Sequence, residues 1–172
     1  MDKHAPTSYA VEPLASDHDR TAFSCGKESL DRYIKQQASQ DVKRHLATAY
    51  VLCASPSRVV IGYYTLSALS VEPGDLPADM ARRLPRYPLL PAILIGRLAR
   101  DRGYPGQRLG ERLLKDALTR SLVSGIGAIA VLVDAIDDEA RGFYEAYGLR
   151  SIPATKRLLL PMATVEGLVR GT

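Results

Sequence analysis

The segment that most restricts the fold runs from residue 91 to residue 135. PAILIGRLAR at 91–100 predicts a central strand, and Gly103, Pro105 and Gly106 follow it as turn residues. Leu109, Leu113, Leu114, Ala117, Leu118 and Leu122 then recur at three- and four-residue spacing, which puts them on one face of an amphipathic helix. Arg108, Arg112 and Lys115 fall to the other side. Gly125 and Gly127 end the helix. Residues 128–135 (AIAVLVDA) are apolar without alternation, as in a strand covered on both faces.

The flanking sequence extends this pattern. Residues 9–14 predict a short first strand. After Ser24-Cys25-Gly26, Leu30, Tyr33, Ile34, Ala38 and Val42 share a helical face, as one helix to about Arg44 or as two shorter ones. Residues 47–54 and 59–70 are rich in β-branched and aromatic side chains and predict two strands, with Ser55-Pro56-Ser57 as the hairpin turn. Residues 72–88 predict a loop with a helical turn at 78–84. Residues 137–147 predict a short helix whose acidic start suits the helix dipole, stopped by Gly148. Closing strands are expected at 149–152 and 156–161, and a last helical turn at 164–169. The sum is an α/β (α+β) chain, a mixed sheet flanked by helices. A length of 172 residues fits a single domain, 1–172.

Composition limits the function classes. The chain is 46% hydrophobic and 24% charged, which argues against disorder. Its longest apolar runs, such as 126–133, are too short to span a bilayer. The first twenty residues lack the apolar stretch of a secretory signal, so the expected location is cytoplasmic, with no membrane partner. Cys25 and Cys53 form no CxxC pair and stand apart in sequence from the scattered His4, His18 and His45; two free thiols and no metal site are expected. A net charge of +4 favours polyanionic partners such as nucleotides, CoA phosphates or RNA.

The first candidate site is the junction at 100–112. A helix that starts just after a glycine-rich turn presents unpaired N–H groups and the positive end of its dipole to phosphate oxygens. Gly106 and Gly110 flank Gln107, Arg108 and Leu109, and Arg102 and Arg108 add charge. This is neither a Walker nor a GxGxxG pattern, and a plain strand-to-helix loop has the same glycine spacing.

The junction GRLARDRGYPGQRLGERLL resembles the acetyl-CoA segment of the GNAT acetyltransferases, whose turn reads Gln/Arg-x-x-Gly-x-Gly/Ala. Here Pro105 stands in the first position and Arg108 in that of the inner glycine, while Gly110 matches. Phe143-Tyr144-Glu145-Ala146-Tyr147-Gly148-Leu149 resembles the superfamily's FYxxxGF segment. Phe23-Ser24-Cys25-Gly26, Leu30-Asp31-Arg32-Tyr33, Gln40-Asp41, Gly62-Tyr63-Tyr64-Thr65-Leu66 and Leu160-Pro161-Met162 are similar to segments of the acetyltransferase toxins of bacterial toxin–antitoxin pairs.

The resemblance implies a GNAT-like, mostly antiparallel central sheet and acetyl-CoA as co-substrate. It implies acetylation of the α-amino group of aminoacyl-tRNA, which blocks translation. It further implies a ribbon–helix–helix antitoxin as partner, DNA contact only through that antitoxin, and a homodimer. It assigns the proton donor to Tyr144 and cofactor contacts to Leu98, Ala99, Arg100, Arg102, Gly106, Gln107, Arg108, Leu109, Gly110 and Phe143. Among basic residues, Arg82, Arg83, Arg86 and Arg97 are the candidate RNA contacts.

The chemistry fits an α-amine. Its pKa near 7.7–8.0 leaves roughly 10–15% neutral at pH 7, against about 0.04% for a lysine, so no strong base is required. Glu72, Asp75 and Asp79 are the acids of the nearby loop, and none is singled out; deprotonation through water or the substrate is expected. Two alternatives share the residues of the site: an N-acetyltransferase acting on a small-molecule amine or a protein N-terminus, and a silent module that binds CoA or a partner protein.

Overall fold

The computed structural model describes residues 8–171; His4 lies outside them. Its strands form a seven-stranded sheet in the order β1-β2-β3-β4-β5-β7-β6. They are β1 Ser8–Pro13, β2 Thr48–Ser55, β3 Val60–Val71, β4 Leu90–Arg100, β5 Ala130–Asp134, β6 Arg150–Ser151 and β7 Arg157–Pro161. β1 pairs antiparallel with β2, and β7 antiparallel with both β5 and β6, while β4 and β5 run parallel. The helices are α1 Glu28–Arg32, α2 Ala38–Lys43, α3 Ala78–Ala81, α4 Leu109–Val123, α5 Asp138–Ala146 and α6 Met162–Arg170. The mixed sheet flanked by helices follows the sequence reading.

Contacts divide the described chain into two compact units, residues 8–65 with 97–116, and residues 66–96 with 117–171. β3, β4 and α4 run through both. In the first unit, Phe23, Tyr33, Ile34, Ala38, Val51, Cys53, Val60, Tyr63 and Ala99 form a buried cluster. The expected helix after Gly26 is present, but α1 and α2 are joined by a π-helical turn, Tyr33–Gln37. The wider turn still leaves Tyr33, Ile34 and Ala38 on the buried side. In the second unit, Val71, Leu76, Leu90, Ala92, Ala130, Leu132 and Leu159 form the cluster. Ala130–Val133 are all fully buried, as their unbroken apolar run requires.

Some expected elements differ in length, two of the helical ones among them. The turn at 78–84 is helical only over Ala78–Ala81, because Pro85 disfavours helical backbone at Leu84. The last helix is longer than 164–169. It starts at Met162 directly from β7, passes through Gly167 and stops where Gly171 turns left-handed at φ +68°.

Candidate active site

β4 leads into the phosphate turn at Asp101, whose carboxylate ties the turn to a distant segment. Oδ1 accepts the Gly103 N–H at 2.8 Å and Oδ2 accepts the Ser24 N–H at 3.0 Å. The Arg102 N–H donates to the Ser24 carbonyl at 2.9 Å, and the Asp101 N–H to the Ile61 carbonyl at 2.8 Å. The Phe23–Gly26 segment is therefore strapped to the turn, although far from it in sequence. Sequence reasoning missed Asp101; the signal was an Asp two residues before a glycine, the pattern of an Asx turn.

Gly106 has φ +76° and Arg108 has φ +51°. A Cβ built on Gly106 meets nothing within 4 Å, so left-handed backbone, not crowding, calls for glycine there. Arg108 keeps the left-handed conformation that the resembled motif's inner glycine would supply, at a cost of about 1–2 kcal/mol. α4 begins at Leu109, which is fully buried. The Arg112 N–H bonds the Arg108 carbonyl at 3.0 Å, and N–H groups ahead of that bond point off the helix end. Arg102, Gln107 and Arg108 are exposed and Gly110 is half-buried. Arg108 makes only a loose 3.8 Å pair with Glu111. Backbone donors, a helix dipole and exposed guanidinium groups thus converge on one turn, a fit for a diphosphate.

On β4, Ala99 is buried in the core cluster, Leu98 is half-buried and Arg100 is exposed, with its guanidinium on the Tyr104 carbonyl at 3.4 Å. The side chain of Ala99 is committed to packing, so its backbone is what the site can use. The parallel pairing of β4 runs from Ile93–Val131 to Ile95–Val133, and β4 continues past it to Arg100.

In the second unit, Asp137 caps α5 by accepting the Ala140 N–H at 2.9 Å. The helix carries Phe143 and Tyr144 and is followed at its C-terminus by Tyr147; the Phe143 ring meets those of Tyr144 and Tyr147 edge-on at 5.3 and 5.1 Å. Tyr144 is 5% exposed. Buried tyrosines ordinarily tether their hydroxyls, and others here do: Tyr33 to Asp41 at 2.9 Å, Tyr63 to the Leu30 carbonyl at 2.7 Å, Tyr64 to Asp116 at 2.5 Å. The Tyr144 hydroxyl has no protein partner among the described residues. No sealed side-chain polar atom there lacks a partner, so this oxygen opens onto accessible space. Burial raises its pKa above the ordinary value near 10, which keeps the proton on the phenol.

Two of the three acids of the loop at 72–88 are engaged. The Asp75 carboxylate accepts the Glu72 N–H at 3.1 Å. Asp79 holds Arg150 through two 3.1 Å bonds, and that hydrogen bonding lowers its pKa. Arg82, Arg83 and Arg86 are exposed in the stretch after α3. Arg97 belongs to the other unit. It is half-buried and stacks over Tyr33, 3.7 Å from the ring centroid.

One cysteine and one histidine that stand apart in sequence meet in the fold. β1–β2 pairing sets Ala10 beside Cys53, and Glu12, His18 and Cys53 bring their ligand-type atoms within 4.8 Å of one another. The group is internally satisfied. His18 Nδ1 accepts the Ala15 N–H at 2.9 Å, which places the ring proton on Nε2, 2.7 Å from Glu12 Oε1. Arg58 also bonds that oxygen, at 2.5 Å. Burial raises the Cys53 thiol pKa, which opposes the thiolate that a metal needs.

No protein-family model matches the chain. Curated relatives do, two of which follow. "Probable toxin TacT" of Sinorhizobium fredii is 33% identical over 170 residues, covering 92% of this chain and 94% of that protein. The "tRNA-acetylating toxin" of Mycobacterium tuberculosis is 35% identical over 167 residues, covering 95% and 98%. Among solved structures, a tyrosine-to-phenylalanine mutant of KacT superposes with a TM-score of 0.86 at 27% identity, over 93% of this chain and 98% of that one. AtaT complexed with acetyl-methionyl-tRNAfMet gives 0.85 at 28%, over 94% and 99%. A tyrosine-to-phenylalanine mutant of AtaT bound to the C-terminus of the antitoxin AtaR and acetyl-CoA gives 0.81 at 26%, over 95% and 99%. This chain belongs to the family of tRNA-acetylating toxins, acetyltransferases of the GNAT kind.

Proposed function

We propose that this protein transfers the acetyl group of acetyl-CoA to the α-amino group of aminoacyl-tRNA. It thereby blocks translation as a cytoplasmic toxin held in check by a ribbon–helix–helix antitoxin. It acts as a homodimer and meets DNA only through that antitoxin. The support comes from near full-length similarity to a tRNA-acetylating toxin and to AtaT in complexes with acetyl-methionyl-tRNAfMet, antitoxin and acetyl-CoA. No helix among the described residues is long and apolar enough to cross a membrane.

The observation that carries the chemistry is the untethered phenol of Tyr144. The turn at Gly106–Gly110 holds the diphosphate of CoA on backbone N–H groups, with Arg102 and Arg108 neutralising charge. Backbone N–H groups of Leu98–Arg100 lie along the thioester and stabilise its developing oxyanion. The neutral α-amine attacks the carbonyl, and its proton leaves through water, with Asp75 and Asp79 engaged in other bonds. As the C–S bond breaks, Tyr144 passes its proton to the sulfur. Burial raises a thiol's pKa as it raises a phenol's, so a desolvated thiolate is also the stronger base. Arg82, Arg83 and Arg86 meet RNA phosphates.

The test is expression of the chain alone in bacteria. Growth should arrest, Tyr144→Phe should relieve the arrest, and co-expression of the cognate antitoxin should do the same. Arrest that persists in Tyr144→Phe removes this mechanism.

A further inference from the structure

Arg97 has a peculiar environment. Its guanidinium lies flat on Tyr33, 3.7 Å from the ring centroid, and among the described residues it makes no ion pair or hydrogen bond to protein. A half-buried cation without a paired anion is costly to keep. A carboxylate is close enough to be felt electrostatically, that of Asp41, yet both its oxygens are engaged. Oδ2 accepts the Tyr33 hydroxyl at 2.9 Å, and Oδ1 accepts the Gln37 side-chain N–H at 2.9 Å. The two donors sit at the two ends of the π-helical turn, a distortion that recurs at functional sites. Tyr33 is further fixed by stacking near Tyr63 at 6.2 Å. The assembly presents a rigid cation whose fork remains unoccupied.

The sheet face identifies the kind of anion. Ala99 packs with Phe23, Tyr33, Ile34 and Ala38, and Arg97, two residues earlier on β4, points to the same side. Gly62 lies on the opposite face, where a Cβ would come within 2.9 Å of Leu113 in α4. The sheet therefore separates Arg97 from α4, so the diphosphate of CoA at that helix start is out of its reach. Arg97 also directly precedes Leu98–Arg100, the stretch assigned to the thioester. The amino acid of a charged tRNA has its α-carboxylate esterified, so, apart from an acidic side chain, the substrate's remaining anions are its phosphates.

Resting on the function proposed above, we propose that Arg97 is the residue that grips a phosphate of the acceptor strand of charged tRNA, with Tyr33 and Asp41 as positioning residues. Tyr33 supplies the stacking plane, and its hydroxyl keeps Asp41 from quenching the guanidinium. The fork geometry matters as well as the charge, because a planar guanidinium meets phosphate bidentately and an ammonium does not.

The test compares Arg97→Gln, Arg97→Lys and Tyr33→Phe on two acceptors: charged tRNA and an aminoacyl-adenosine ester, which carries no phosphate. Arg97→Gln should raise KM for charged tRNA about tenfold or more and reduce the slope of log affinity against log salt by about 0.7–0.9. Its defect on charged tRNA should exceed that on the ester by about tenfold. Arg97→Lys should keep the salt slope and still lose affinity. Tyr33→Phe retains the ring but frees Asp41 to pair with Arg97, so KM for charged tRNA should rise in a folded protein even where Arg97→Gln proves unstable. Calorimetry should find acetyl-CoA binding to Arg97→Gln within about twofold of wild type.

Equal defects on both acceptors, an unchanged salt slope in Arg97→Gln, or acetyl-CoA affinity lost in parallel would each overturn the assignment. Wild-type protein that acetylates the ester and no charged tRNA would overturn the proposed function itself, and this inference with it.

Discussion

Replacing Tyr144 by Phe deletes one oxygen and leaves the ring in place. Because that hydroxyl bonds no protein group among the described residues, folding stability should change by less than about 0.5 kcal/mol. Tyr64→Phe is the internal contrast. It removes a 2.5 Å bond to the Asp116 carboxylate and should cost about 1.5–3 kcal/mol. In catalysis the order reverses. Loss of a positioned general acid lowers turnover by about 10²–10⁴, equivalent to about 3–5 kcal/mol of barrier. Transfer of radiolabelled acetyl to charged tRNA under single-turnover conditions reads the chemical step, calorimetry reads acetyl-CoA affinity, and urea melts read stability. The expected result is acetyl-CoA affinity within about threefold of wild type, unchanged stability, and turnover down at least a hundredfold. Turnover within tenfold of wild type would refute the proton-donor role. A loss of about 1.5 kcal/mol or more in stability would show that the hydroxyl is tethered after all.

The phosphate turn and the ionisations set further outcomes. Arg108→Gly relieves a left-handed backbone at φ +51° and should leave stability unchanged or raised, whereas Arg108→Val should lose about 1–2 kcal/mol; equal melts for both would contradict the strain. Asp101→Ala removes the acceptor of the Ser24 and Gly103 N–H groups, so KM for acetyl-CoA should rise about tenfold while kcat stays within about threefold; a fall confined to kcat would contradict the strap. Because burial raises the Tyr144 pKa above its ordinary value near 10, the acid stays protonated throughout the usual range. kcat/KM should therefore climb with the deprotonating amine, through about pH 7–8, and hold to about pH 9.5, and a descending limb below pH 9 would point to a different donor.

Periodicity made much of the fold legible. The leucine stripe of α4, the unbroken apolar run of β5 and the acidic start of α5 each carry their own signal, and each formed as expected. What sequence could not reveal depends on backbone conformation or strand register. The π-helical turn keeps the same apolar positions inward as an α-helix would, so Leu30, Tyr33, Ile34 and Ala38 read as an ordinary stripe. Arg108 looked like the loss of a glycine and proved to preserve its conformation. The Asp101–Ser24 bonds and the Arg97–Tyr33 stack join residues far apart in the chain. The Glu12–His18–Cys53 group depends on the register between β1 and β2. For the candidate site, the residue types at 100–110 and at 143–144 were readable, while the freedom of the Tyr144 hydroxyl among the described residues shows only by contrast with the tethered hydroxyls of Tyr33, Tyr63 and Tyr64.

The decisive measurement is the fate of labelled acetyl when the purified protein is given acetyl-CoA, charged tRNA and the same tRNA uncharged. Label should enter the charged species alone and leave with the amino acid when the ester is hydrolysed, as an N-acetyl amino acid. Label that stays on the nucleic acid after that hydrolysis, or that appears only on protein or small amines, would contradict the account.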